Sequence, residues 1–283
     1  MWQYQLFNTT VANIKRILPF TGLLDLLCPP VCPVCGGIHE DSVEPFCPAC
    51  IQKSVIPAGH FCHRCGGRRF ISPNNNDADR CSRCRTADFR FKRAIALGEY
   101  EGDLRQLVLR MKTDRTGILA IAAAQMLALS RRSELDSVQA DCVVPVPMHC
   151  WRQEDRGVNS PDTLAEELAR HLKIPFARHL IQRVRRTDLQ YTLSRHARTE
   201  NVQGAFALRP PGLWQKLLLK NRGQFAVQSP NLTGKTIILV DDILTTGATC
   251  NEVTKVLLSA GVRSVTVTVL SRAEGDHCRR NAG

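Results

Sequence analysis

No stretch of eighteen consecutive apolar residues occurs in this chain, so a membrane-spanning helix is not expected. A GxGxxG fingerprint is missing, and so is a complete phosphate-binding P-loop. The tripeptide GKT at 234–236 comes nearest to the latter. Ser229, however, stands at its first glycine position, and the GKT precedes an apolar run instead of following one. No export signal is recognisable either. The segment ILPFTGLLDLLC follows Lys15 and Arg16, yet Asp25 breaks its apolar run and Leu27 before Cys28 is too large for a cleavage site. Residues 1–27 are therefore expected to form an amphipathic N-terminal segment of a cytoplasmic protein.

Acid is scarce relative to base: 26 Asp and Glu face 38 Lys and Arg, for a net charge of +12. That excess points to a polyanionic partner such as phosphates, nucleic acid or a membrane surface. The length of 283 residues allows one or two domains, and a hydrophobic share of 43% supports a real core.

What is abundant is cysteine, and it is unevenly placed. Nine of the thirteen lie between residues 28 and 84. Eight of them form the pairs Cys32-x-x-Cys35, Cys47-x-x-Cys50, Cys62-x-x-Cys65 and Cys81-x-x-Cys84. Two residues between thiols let both sulfurs turn toward one ion, and two such knuckles complete a tetrahedral shell, so two structural Zn2+ sites are expected. A disulfide framework would need an oxidising compartment, and regular knuckle pairs favour zinc over an iron–sulfur cluster. Spacing leaves open whether the knuckles pair in tandem or interleave. The segment has too few apolar residues to fold on a core of its own, so metal binding is expected to supply much of its folding free energy. Between residues 64 and 93, Arg64, Arg68, Arg69, Arg80, Arg83, Arg85, Arg90, Lys92 and Arg93 face only Asp77, Asp79 and Asp88. Such a surface suits phosphate backbones, and Phe61, Phe70, Phe89 and Phe91 among the arginines would stack unpaired bases of single-stranded DNA.

From about residue 93 apolar runs alternate with helical stretches. Strands are expected at 94–100, 142–146, 235–240 and 264–270, and helices at 116–130, 160–173 and 249–261. Ser160 reads as an N-cap ahead of Pro161, and Thr249 with Glu252 reads as a capping box. Strand, helix and strand from 235 to 270 make a parallel crossover, so this half is α/β. Residues 209–233 read as a loop or insertion. The expected division is 1–27, 28–92 and 93–283.

The run IILVDDILTTGAT at 237–249 carries the chemistry. Backbone amides and the hydroxyls of Thr245, Thr246 and Thr249 can ring a phosphate, with Gly247 and Ala248 permitting close approach at a helix start. Asp241 and Asp242 beside them can accept hydrogen bonds from two vicinal hydroxyls. A phosphate close to a cis-diol describes a ribose 5-phosphate.

This stretch closely resembles the phosphoribosyl pyrophosphate (PRPP) signature of type I phosphoribosyltransferases. With DCVVPVPMHCWRQEDRGVNS (141–160), RVRRTDLQYTLSRHARTENVQGAF (183–206), YEGDLRQLVLRMK (100–112) and the tandem CxxC units, residues 28 to 272 resemble the ComF/GntX family. The resemblance implies a double zinc ribbon ahead of a phosphoribosyltransferase-like parallel sheet with helices on both faces, and a link to DNA uptake and competence. It implies PRPP held with Mg2+ at Asp241, Asp242, Thr245, Thr246, Gly247, Ala248 and Thr249. Arg152 and Arg156 would bind pyrophosphate, beneath a hood carrying Arg183, Arg185, Arg186, Arg195 and Arg198. Val158, Ser160 and Thr113 depart from the family's usual residues, which bears on acceptor recognition more than on PRPP. No side chain identifies itself as a general base, so no catalytic residue is assigned. Two functions follow: phosphoribosyl transfer with release of pyrophosphate, or a non-catalytic nucleic-acid-binding or adaptor role that retains a PRPP or nucleotide site.

Overall fold

The computed structural model describes residues 31–39, 45–69, 81, 84, 87–148, 159–185, 200–210 and 231–273. The N-terminal segment 1–27, Arg152, Arg156, most of the hood and nearly all of 209–233 lie outside the described residues.

A short helix α1 (Pro48–Ser54) precedes β1 (Arg93–Glu99), α2 (Gly102–Thr113), α3 (Ile118–Ser130) and α4 (Arg132–Asp136). There follow β2 (Cys142–Pro145), α5 (Ser160–Leu172), β3 (Ile181–Arg183), β4 (Phe206–Leu208), β5 (Thr236–Leu244), α6 (Ala248–Ser259) and β6 (Ser264–Arg272). Four strands form one parallel sheet in the order β1-β6-β5-β2, and β3 pairs antiparallel with β4. A parallel sheet needs cover on both faces, and the strand side chains alternate accordingly. Ile237 and Leu239 enter one core with Val265, Val267 and Val269, while Ile238 and Val240 enter the other.

The first of these cores takes α6 through Cys250, Val253 and Leu257. The second takes α3, α5 and α2, whose Leu104, Leu107, Val108 and Met111 recur at helical spacing and are buried. The two CxxC units straddle this sheet. Cys32 and Cys50 pack into the α2–α3–α5 core, whereas Cys62, Cys65 and Cys84 pack into the α6 core.

The cysteine-rich segment also covers the otherwise open edge of β1. The amide of Ile56 donates to the carbonyl of Leu97 at 3.0 Å, so an edge that would invite pairing with another chain is occupied. Arg131 fastens the junction. Its buried guanidinium donates to the carbonyls of Ala96 (2.9 Å), Leu97 (2.9 Å) and Ile56 (2.6 Å), and lies 4.8 Å from the centroid of the Phe61 ring. Burial lowers the pKa of Arg131, yet those carbonyls satisfy it as a cation.

The approach is closest at Gly98. A Cβ there would stand 1.9 Å from the carbonyl oxygen of Ser54 and 2.7 Å from Leu104 Cδ2. Gly98→Ala is therefore expected to destabilise the chain by about 2–3 kcal/mol, since the obstacle is backbone as well as side chain. Chemical denaturation reads this directly; an unchanged midpoint would show that α1 moves freely away from β1.

Helix starts differ from the expectations by a residue or two, for local reasons. Asn159, not Ser160, is the N-cap of α5, because the Asn159 carbonyl already accepts the amide of Thr163 at 3.1 Å. Gly247, not Thr249, caps α6, so Thr249 lies inside the helix, and Glu252 accepts the amide of Gly204 at 2.9 Å. Strand β5 runs past residue 240 to Leu244, since Asp241, Ile243 and Leu244 keep their register with Val269, Ser271 and Arg272 of β6.

Candidate functional site

Helix α6 lies on one face of the sheet and α5 on the other, while their preceding strands β5 and β2 are neighbours. The chain leaving β5 and the chain leaving β2 therefore diverge at the strands' C-terminal ends. Open α/β sheets bind ligands at such a switch point. Asp241 and Asp242 stand there, followed by the turn 245–247.

The two carboxylates are held close together. Asp241 Oδ1 accepts the amide of Asp242 at 2.9 Å, and the thiol of Cys250 lies 3.9 Å from Asp241 Oδ2. Burial, then the charge of Asp242, pushes the Asp241 carboxyl well above the usual carboxylate range. Burial and the neighbouring carboxylates likewise push the Cys250 thiol up. Lys112 at the end of α2 offers one compensating charge, its Nζ 3.3 Å from Asp242 Oδ2. Two half-buried carboxyls with one lysine suit hydroxyl donors, or a hard cation that keeps both acids ionised.

The turn itself is built from beneath. Gly247 has φ 83°, the left-handed region that favours glycine. The Thr246 hydroxyl accepts the Ala248 amide at 3.3 Å, so one of the helix's orphan amides is already satisfied from within the loop. Buried Arg272 donates to the carbonyls of Leu244 (2.6 Å), Thr245 and Ala273 (2.7 Å). Those bonds turn the loop carbonyls toward the protein, which suits a loop whose amides face an anion.

Lys112, Arg272 and the aromatic pair Phe89 and Phe91 were not singled out for this site by the sequence. Lys112 falls in the quoted 100–112 stretch, and a lysine closing an amphipathic helix was the only available signal. Nothing in the local pattern distinguishes Arg272 from an ordinary residue at a strand end.

The eight knuckle cysteines gather into two clusters, Cys32, Cys35, Cys47 and Cys50, then Cys62, Cys65, Cys81 and Cys84, with the sulfurs of each within 4.8 Å of one another. The pairing is tandem, not interleaved. Four sulfurs at the usual Zn–S length of ~2.3 Å around a tetrahedral ion lie ~3.8 Å apart. Cys35 and Cys47 stand at 3.7 Å, Cys62 and Cys84 at 3.6 Å, and Cys81 and Cys84 at 3.7 Å. Burial, then the hydrogen bond with Cys62, pushes the Cys84 thiol up to about 11, while hydrogen bonds from Cys65 and Cys81 lower Cys62, and four sulfurs at this spacing suit a shared cation. The residues fit zinc.

Among the described residues the expected base-stacking aromatics do not face outward. Phe61, Phe89 and Phe91 are buried, with Phe89 and Phe91 stacked at 4.7 Å between centroids. Phe89 and Phe91 pack into the core beneath α6 and Phe61 lies against Arg131, where apolar burial outweighs exposure to a polar ligand. Phe70 lies outside the described residues. Arg64 is also committed internally, donating to the backbone carbonyls of Phe89, Phe91 and Lys92. Arg93 reaches the Glu134 carbonyl at 3.0 Å and the Ser137 hydroxyl at 2.7 Å. Arg80, Arg83 and Arg85 lie outside the described residues. Among the described residues no helix is long and apolar enough to cross a membrane.

Comparison with known proteins agrees with this geometry. A family model described as Phosphoribosyl transferase domain matches residues 163–281, and one described as Double zinc ribbon domain matches residues 23–85. The chain is 29% identical over 245 residues to Competence protein F of Haemophilus influenzae, covering 86% of this chain and 96% of that protein. It is 29% identical over 245 residues to DNA utilization protein YhgH of Salmonella typhi, covering 86% and 90%. The YhgH protein of Escherichia coli K12 is 28% identical over 215 residues, covering 75% and 84%. With both cysteine clusters ahead of a parallel sheet of this kind, the chain joins a double zinc ribbon to a phosphoribosyl transferase domain and is similar along most of its length to Competence protein F and the YhgH proteins.

Proposed function

We propose that the α/β domain binds PRPP, or another nucleotide containing ribose 5-phosphate, at the C-terminal end of β5 and transfers the phosphoribosyl group. The observation that best supports this is the carboxylate pair Asp241 and Asp242, set two residues before a small-residue turn at a helix start. The 5-phosphate would lie against the amides and hydroxyls of Thr245, Thr246, Gly247, Ala248 and Thr249, aided by the positive end of α6. The ribose hydroxyls would be held by Asp241 and Asp242, with Lys112 fixing the orientation of Asp242. Asp241 and Asp242 are the residues that would hold Mg2+, which would supply charge neutralisation to the pyrophosphate.

An incoming nucleophile attacks C1, the C1–O bond to pyrophosphate breaks, and the electron pair leaves with pyrophosphate. Positive charge develops on the ribose ring in the transition state, so nearby carboxylates stabilise it more than the ground state. Arg152 and Arg156 would neutralise the departing pyrophosphate from the chain that leaves β2.

A second reading is favoured by the names of the relatives, Competence protein F and DNA utilization protein. Here the same pocket binds PRPP or a nucleotide without turnover, while the basic module serves the handling of DNA. Nucleic-acid contact in either reading falls mainly to arginines, since Phe61, Phe89 and Phe91 are buried.

Calorimetry with PRPP and Mg2+, paired with pyrophosphate release in the presence of a panel of bases and amines, separates the possibilities. Saturable binding with release supports the transferase. Binding without release supports the adaptor. No binding at all overturns the site.

A further inference from the structure

We infer that Arg64, Phe89, Phe91 and Asn251 form a strut through which the second cysteine cluster positions the phosphate loop at Gly247. The inference rests on reading residues 245–249 as that loop.

The strut begins inside the metal knuckle. Arg64 lies between Cys62 and Cys65, and its guanidinium donates to the carbonyls of Phe89 and Phe91 and to that of Lys92 at 2.8 Å. The same group lies 5.6 Å and 5.7 Å from the centroids of the Phe89 and Phe91 rings. A planar guanidinium with several donors locks three carbonyls of the 89–92 segment in a way one ammonium could not.

The strut ends at the loop. A Cβ on Gly247 would stand 2.7 Å from Phe89 Cε1, 3.2 Å from Phe89 Cδ1 and 3.7 Å from Phe91 Cε1. The stacked rings thus form the wall against which the turn rests. One turn into α6, Asn251 closes the arrangement from the other side. Its Oδ1 accepts the amide of Arg90 at 2.9 Å, and its Nδ2 donates to the carbonyl of Asp88 at 2.9 Å. Residues 88–92 are held to the knuckle by Arg64 and to α6 by Asn251, with the rings pressed on Gly247 between them.

The consequence follows from preorganisation. A loop that cradles phosphate through backbone amides gains affinity when those amides are fixed before the ligand arrives. Within the protein the wall of Phe89 leaves the turn few other positions. Removing the wall or its latch frees the loop, and each binding event then includes the cost of ordering it.

Full-length, zinc-loaded protein provides the test. Amide hydrogen exchange across residues 245–250 is measured in the parent and in Phe89→Leu, Arg64→Met, Asn251→Ala and Asn251→Asp, together with calorimetry using PRPP and Mg2+. Leu168→Ala, buried in α5 on the opposite face, controls for general loss of stability. Phe89→Leu, Arg64→Met and Asn251→Ala are expected to speed loop exchange and weaken PRPP binding by at least roughly fivefold each, with zinc content unchanged. Asn251→Asp keeps the acceptor for the Arg90 amide and is expected to recover part of both losses. Leu168→Ala is expected to leave loop exchange at the parent rate. Parent-like exchange in the three strut variants overturns the inference, and so does equal acceleration in Leu168→Ala. A loosened loop with undiminished affinity overturns the positioning role. A parent that binds no PRPP defeats the reading of the ligand, while the exchange comparison still decides the strut.

Discussion

Chelation of the purified protein is expected to remove about two zinc ions per chain and to unfold the cysteine-rich segment. Four-cysteine structural sites contribute apparent free energies on the order of 10 kcal/mol each. Whole domains are stable by only about 5–15 kcal/mol, so the ribbons have no reserve to replace their metal. The effect is expected to spread. Cys62, Cys65 and Cys84 share a core with β5 and β6, while Cys32 and Cys50 share one with α2 and α3. Loss of the ribbons would uncover the β1 edge at Leu97 and remove the Phe61 ring from beside Arg131. Residues 31–69 are therefore expected to lose amide protection first, and the α/β domain then to melt at a lower temperature than in the metal-loaded protein. Metal analysis by mass spectrometry and calorimetric melts are the measurements. Stoichiometric iron with a visible absorption band would overturn the zinc assignment, and an unchanged α/β transition would overturn the shared-core argument.

Neutralising both acids, Asp241→Asn with Asp242→Asn, is expected to weaken Mg-dependent PRPP binding by at least about a hundredfold, or ~2.7 kcal/mol. A hydrogen bond to a charged group contributes about 1.5–3 kcal/mol, and two such groups are lost together. The same substitution is expected to spare the fold and to raise its stability at neutral pH. Burial and Asp242 raise the folded-state pKa of Asp241 above its ordinary 3.8. Between those two values the folded chain binds more protons than the unfolded chain, so stability falls as pH rises through the window. Above it Asp241 is a fully expressed cost, which asparagine removes. Lys112 loses its partner, but it is partly exposed and keeps water. Melting temperatures above pH 4 should accordingly be at least those of the parent and vary less with pH. Unchanged PRPP affinity would sink the role assigned to the pair, and a collapse of stability would show that the acids serve the fold.

Much of this protein is written in local pattern. The CxxC spacing announces a metal because two thiols three residues apart can reach one ion whatever surrounds them. The sheet is legible because apolar runs such as TIILV and SVTVTVL, separated by a helix of one crossover's length, have few other ways to hide both faces. The run VDDILTTGAT places carboxylates beside a turn through covalent connectivity alone, since the residues that matter are neighbours in the chain. The assignment of Arg152 and Arg156 to pyrophosphate rests on the resemblance alone.

Tertiary structure decided whatever depends on residues far apart in sequence. Tandem pairing of the knuckles followed from how the segment folds back on β1, because spacing alone permits either partner. Phe89 and Phe91 look like a nucleic-acid platform among arginines until the β1 edge carries them inward beneath Gly247. Lys112 meets Asp242 across 130 residues, and Arg131 meets Ile56 across 75. Local propensity carries no information about such partners, since charge and apolar surface say that a side chain needs a neighbour but not which one. Packing two cysteine clusters on opposite faces of a single sheet supplied those neighbours.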